Sequence, residues 1–154
     1  MHELPPMPAK KKPRPAHHKS QAVKELEQLL WEADCRRYPS IDPKYIAKRI
    51  MTDATANGLT KCVVAYAKLR GAFASRLNNT GIFRDGKYTR STARRGLPDV
   101  LITYKGQSLF VEVKVGRDRM SDHQRKVQQD QLRAGGNYVV IGTFEQFKTW
   151  FDAF

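Results

Sequence analysis

Asp99, Glu112 and Lys114 are the residues of this chain whose types and spacing could do chemistry. Both acids sit in strand-like apolar runs, Gly96-Leu97-Pro98-Asp99-Val100-Leu101-Ile102 and Ser108-Leu109-Phe110-Val111-Glu112-Val113-Lys114. A carboxylate inside a buried strand is costly unless it is paired or binds a metal. Two such acids close together repel, which raises one pKa unless a cation intervenes. Mg²⁺ suits the conflict, because it takes oxygen ligands in octahedral geometry and keeps several waters. It can polarise a phosphoryl oxygen and activate a bound water, and a nearby lysine can orient that water or offset charge on the phosphate. The chemistry these three residues point to is metal-assisted phosphodiester hydrolysis.

The elements that must position them can be read from the same stretch. Val100 to Tyr104 and Ser108 to Val115 are rich in β-branched and aromatic residues and read as strands. Lys105-Gly106 between them fits a two-residue hairpin turn. With that turn Tyr104 faces Gln107, and counting back along both strands sets Asp99 directly opposite Glu112. Lys114 shares the face of Glu112, since side chains alternate along a strand. A slip of one residue would put the acids on opposite faces, so the site predicts the register. Pro98 suits the first residue of a strand, and Gly96 permits a tight approach into it.

Gly96-Leu97-Pro98-Asp99, Glu112-Val113-Lys114 and Ser121-Asp122-His123-Gln124 together resemble the PD-(D/E)XK nuclease superfamily, and within it the VRR-NUC domain. Thr55-Ala56-Asn57-Gly58-Leu59-Thr60-Lys61-Cys62 and Arg76-Leu77-Asn78-Asn79-Thr80-Gly81 are similar to members from phages and mobile elements. The resemblance spans residues 52–150. It implies an α/β, restriction-endonuclease-like core, with a mixed central sheet flanked by helices and here an extra N-terminal helix. It also implies Mg²⁺ dependence with Mn²⁺ as a substitute, ligands Asp99 and Glu112, a catalytic Lys114 and a supporting Gln124. The substrate implied is DNA, branched or otherwise structured, in replication, repair or recombination; a homodimer is the implied assembly. One departure stands out. The superfamily usually carries a carboxylate on the helix before its first strand, whereas Leu59 to Arg70 contains no acid. Asp53 and Asn57 are the nearest substitutes.

Other residues keep two readings. Ser121-x-x-Gln124 is also a capping box, so Gln124 could serve only its own helix. His123 lies beside the site and could shuttle protons, but reads more readily as a solvated first-turn residue. The aromatic residues near the C-terminus have helical spacing and read as core.

Charge supports a polyanionic partner. The net charge is +13 over 154 residues. Lys10, Lys11, Lys12, Arg14 and Lys19 make the start basic, yet the surplus continues beyond it. Lys68, Arg70, Arg76, Arg84, Lys87, Arg90, Arg94, Arg95 and Lys105 stand against Asp85 and Asp99, and this block leads into the acid pair. Arg94, Arg95, Arg117 and Arg119 are the predicted phosphate contacts. No apolar run approaches the roughly 18 residues of a membrane span, and Cys35 and Cys62 have no metal or disulfide spacing. The expectation is a cytoplasmic protein of a bacterial or phage-infected cell, without membrane contact. A branched-DNA-binding protein with weak catalysis is the alternative, and an RNA-processing nuclease a third.

The organisation predicted is a disordered basic, proline-rich tail over 1–19, a helical extension over 20–51 and the nuclease domain over 52–154. Within these, helices are expected from Ser20 to Cys35, Tyr45 to Met51 and Thr60 to Arg70. A strand is expected from Ala72 to Asn78, then a long polar connection from Asn79 to Arg95. After the hairpin come a helix to Ala134, a strand from Asn137 to Ile141 and a last helix.

Overall fold

The computed structural model describes residues 19–77, 82–89 and 94–154. The predicted tail, 1–19, therefore falls almost wholly outside the described residues. Helix α1 spans Gln21–Arg37 and is capped by the Ser20 hydroxyl, which accepts the Val23 N–H. Helix α2 spans Ala56–Leu69, followed by strand β1, Phe73–Arg76. A small hairpin, β2 (Ile82–Arg84) and β3 (Lys87–Thr89), occupies the long polar connection. Strand β4 (Val100–Tyr104) and β5 (Gln107–Val113) follow, then α3 (Asp122–Arg133), β6 (Asn137–Ile141) and α4 (Phe144–Asp152).

The main sheet runs β1-β4-β5-β6. Its first three strands are antiparallel, and β6 joins β5 in parallel through the α3 crossover. This is the predicted α/β architecture, a mixed sheet flanked by helices, with α1 as the N-terminal addition. The predicted register also holds: Tyr104 pairs with Gln107 and Val100 with Val111. The turn has Lys105 at φ +48° and Gly106 at φ +75°, the backbone signature of a tight hairpin whose twist matches its strands.

Alternation splits the sheet into two chemically distinct faces. Val100, Ile102, Leu109, Val111, Val113 and Ile141 pack with residues of α1, α2 and α4 into one core. Phe144, Phe147 and Phe151 are fully buried there around Tyr66, so the C-terminal aromatic residues are core as expected. The opposite face carries Phe110, Glu112 and Tyr138 and is covered by α3, whose Gln124 reaches Glu112.

Three predicted boundaries are corrected. Residues 45–51 are not a helix: a single 3-10 turn, Pro43–Tyr45, ends at Ile46. The segment is instead tied across to α1, because the Trp31 indole donates to the Ile46 carbonyl and the Met51 N–H donates to the Glu27 carboxylate. Backbone groups satisfied by a neighbouring helix do not need one of their own. Helix α2 starts earlier than Thr60, at Ala56, where the Thr55 hydroxyl accepts the Gly58 N–H. Strand β1 covers Phe73–Arg76, leaving out Ala72 and Leu77 of the expected Ala72 to Asn78, while Asn78 lies outside the described residues.

Candidate active site

The strands bring Asp99, Glu112 and Lys114 together at the open end of the β4–β5 hairpin. Asp99 immediately precedes β4, and its Oδ2 accepts the Val113 N–H at 2.9 Å. The carboxylate thereby takes a place in the ladder beside Glu112. Glu112 lies near the end of β5 and is 1% exposed. The Lys114 N–H donates to the Ile141 carbonyl at 2.8 Å, which carries the parallel ladder one residue past β5. Its ammonium sits 2.9 Å from Glu112 Oε1 and 3.5 Å from Asp118 Oδ2, with the side chain 14% exposed.

Gln124 makes two kinds of contact, one to its own helix terminus and one to Glu112. It completes the capping box with Ser121, its Oε1 accepting the Ser121 N–H, while its Nε2 donates to Glu112 Oε1. A capped first turn holds the side chain's carbonyl end, so the amide end is aimed at the carboxylate. The Tyr138 hydroxyl lies 3.5 Å from Glu112 Oε2. Sequence reading placed Tyr138 in an apolar strand and did not assign it to the site. No sequence signal marks it, because its place beside Glu112 comes from the parallel pairing of Tyr138 with Phe110, two residues before Glu112 on the same face.

Electrostatics follow from burial. Burial pushes the Glu112 carboxyl above its ordinary pKa, with the Asp99 charge adding to the shift and Lys114 opposing it. Burial also works against the Lys114 ammonium, but its bond to Glu112 and the charges of Glu112 and Asp118 outweigh this and raise its pKa. Lys114 is thus held charged. A buried carboxylate that resists ionisation, next to a second one, is the setting that a hard divalent cation relieves. The donors are all oxygen, which fits Mg²⁺ or Mn²⁺, and Asp99 and Glu112 would hold it. A consequence can be measured: because the Glu112 pKa is raised, Mn²⁺ affinity falls on acidification from a higher pH than an ordinary glutamate would set. Mn²⁺ titrations across the acid range check this.

Among the described residues no set of three His, Cys, Asp or Glu side chains gathers as a metal site. The two substitutes for a helix carboxylate are engaged elsewhere. Asp53 is 5% exposed and its Oδ2 accepts the Phe144 N–H, joining the chain before α2 to the start of α4. Asn57 accepts from Arg76 at 2.5 Å. Asp53→Ala is therefore expected to cost stability, about 1–3 kcal/mol for an orphaned buried partner, and to leave Mn²⁺ affinity unchanged. Urea unfolding and Mn²⁺ binding on the same variant check both halves.

The predicted phosphate contacts divide. Arg95, Arg117 and Arg119 are exposed. Arg119 donates to the Asp118 carbonyl. Arg94 is paired with Asp130 on α3 rather than standing alone. Gly96, two residues on, has φ +81° and presses its backbone onto the first turn of α3. The segment that delivers Asp99 is therefore docked on the helix that delivers Gln124. His123 is exposed.

No protein-family model matches the chain, and no curated protein matches it. Among solved structures, a VRR_NUC domain is similar at 22% identity, over 63% of this chain and 94% of that one, with a TM-score of 0.48. The mixed sheet and its flanking helices are consistent with the fold that the sequence resemblance implies.

Proposed function

We propose that this protein is a metal-dependent DNA endonuclease, selective for branched or nicked DNA structure rather than base sequence. The observation that carries the reading is Glu112: a buried carboxylate beside Asp99, gripped by Lys114 and Gln124, at the rim of a strongly basic chain. When bound, the cation supplies Lewis acidity and a more acidic water. Asp99 and Glu112 hold it, and Gln124 fixes the Glu112 rotamer. Lys114 keeps a positive charge where negative charge builds on the phosphate, and its ammonium protons can orient the attacking water. Arg95, Arg117 and Arg119 position the backbone and carry no sequence information. Arg94 joins them only by exchanging Asp130 for a phosphate. A homodimer would set two such sites about a twofold axis, as a symmetric four-way junction requires.

A second reading, a catalytically weak protein that binds branched DNA, is favoured by one observation: Asp53 and Asn57 are committed elsewhere, so no third carboxylate joins the pair among the described residues. Labelled duplex, flap and four-way-junction DNA incubated with Mg²⁺, Mn²⁺ or EDTA separates the two. The nuclease reading expects product with either metal and none with EDTA. Tight junction binding with no product in any metal would leave the binding reading.

The described helices include none long and apolar enough to cross a membrane.

A further inference from the structure

The Tyr138 hydroxyl is a polar group that the proposed mechanism does not use. It sits on β6, the strand paired in parallel with β5, opposite Phe110 and two residues before the partner of Glu112. Tyr138 is 9% exposed, and its ring packs edge-on against Phe110 with centroids 6.3 Å apart. A long side chain at that register reaches its diagonal neighbour along the sheet face. Here the neighbour is Glu112, whose Oε2 is the hydroxyl's one hydrogen-bond partner among the described residues, at 3.5 Å. The other oxygen, Oε1, takes Lys114 and Gln124. Each carboxylate oxygen can accept more than one bond, so these donors fix the orientation of the group without exhausting it.

We infer that Tyr138 is a positioning residue for the metal-binding carboxylate: its hydroxyl holds Oε2 of Glu112 in the orientation that receives a divalent cation. This rests on the nuclease reading and adds to it a residue from a strand that carries no other part of the site. Hydrogen bonds of this kind, one step removed from a metal, typically change affinity or activity by 10–100-fold.

The test uses the intact chain without DNA. Mn²⁺ binding is followed by the electron paramagnetic resonance of the free ion for wild type, Asp99→Ala, Tyr138→Phe and Phe110→Leu. The expected result is binding by wild type, loss in Asp99→Ala, and about tenfold weaker binding in Tyr138→Phe with an unchanged melting temperature. Phe110→Leu disturbs the same ring packing without touching the hydroxyl, and should bind Mn²⁺ as wild type does. In cleavage assays Tyr138→Phe should lose kcat at low Mn²⁺, recover it at saturating Mn²⁺ and keep the wild-type KM for DNA. A merely structural role would not produce that recovery. Wild-type Mn²⁺ affinity in Tyr138→Phe overturns the inference and leaves the nuclease reading intact. Equal weakening in Phe110→Leu overturns it too, since packing would then be the cause. If wild type binds no Mn²⁺ and cuts nothing, both fall together.

Discussion

Glu112→Gln is expected to abolish metal-dependent cleavage while the protein stays folded. The rate should fall by about 10³-fold or more, the scale lost when a group central to transition-state charge stabilisation is removed. The isosteric amide keeps the volume of the side chain, so no cavity opens in the sheet. It also removes a charge that burial already penalises, which works toward stability. The opposing loss is the Lys114 contact, and that ammonium still has Asp118 at 3.5 Å. Melting temperature should therefore stay close to wild type, and Mn²⁺ binding should vanish with activity. DNA affinity measured in EDTA should persist, because the exposed arginines are untouched. Cleavage at a normal rate by Glu112→Gln would show that the site lies elsewhere. Loss of cleavage together with a large fall in melting temperature would leave the result a folding effect rather than a catalytic one.

Gly96→Ala should carry the second large effect, on both stability and site. A Cβ at this position would lie 2.4 Å from the carbonyl carbon of His123, 2.5 Å from its oxygen and 2.8 Å from the Gln124 nitrogen. All three are backbone atoms of the first turn of α3, which cannot swing aside as a side chain could. The residue also has φ +81°, a conformation costing a non-glycine residue about 1–2 kcal/mol. With the clash added, itself worth about 1–3 kcal/mol when a packed site cannot yield, a total loss of about 2–5 kcal/mol is expected. Relief requires lifting the segment before Asp99 away from α3, which separates Asp99 from the helix that holds Glu112 through Gln124. Mn²⁺ affinity should then fall along with stability. Gly106→Ala is the comparison: it has a similar φ of +75°, but its Cβ would meet no atom within 4 Å. That variant should lose only the backbone term, about 1–2 kcal/mol, and bind Mn²⁺ normally. Urea unfolding and Mn²⁺ titration of both variants decide the matter; equal losses would remove the proposed docking of 96 on α3.

The sequence by itself determined the β4–β5 hairpin. Its register depends only on a two-residue turn and on strict alternation, both local rules, and so the sequence alone sets Asp99, Glu112 and Lys114 on one face. The class of the fold was legible for the same reason, since helical and strand periodicities come from neighbouring residues. What lies across the sheet was not legible. Tyr138 reaches Glu112 because β6 pairs with β5 after a crossover, and no local spacing encodes that pairing. Residues 45–51 look helical alone, but Trp31 and Glu27 of α1 take up their backbone groups. By sequence Asp53 could be a metal ligand, but the start of α4 uses it; Arg94 could be a free phosphate contact, but Asp130 pairs with it. In each case the deciding partner lies far along the chain, and only tertiary packing brings a distant donor or acceptor close enough to claim the group.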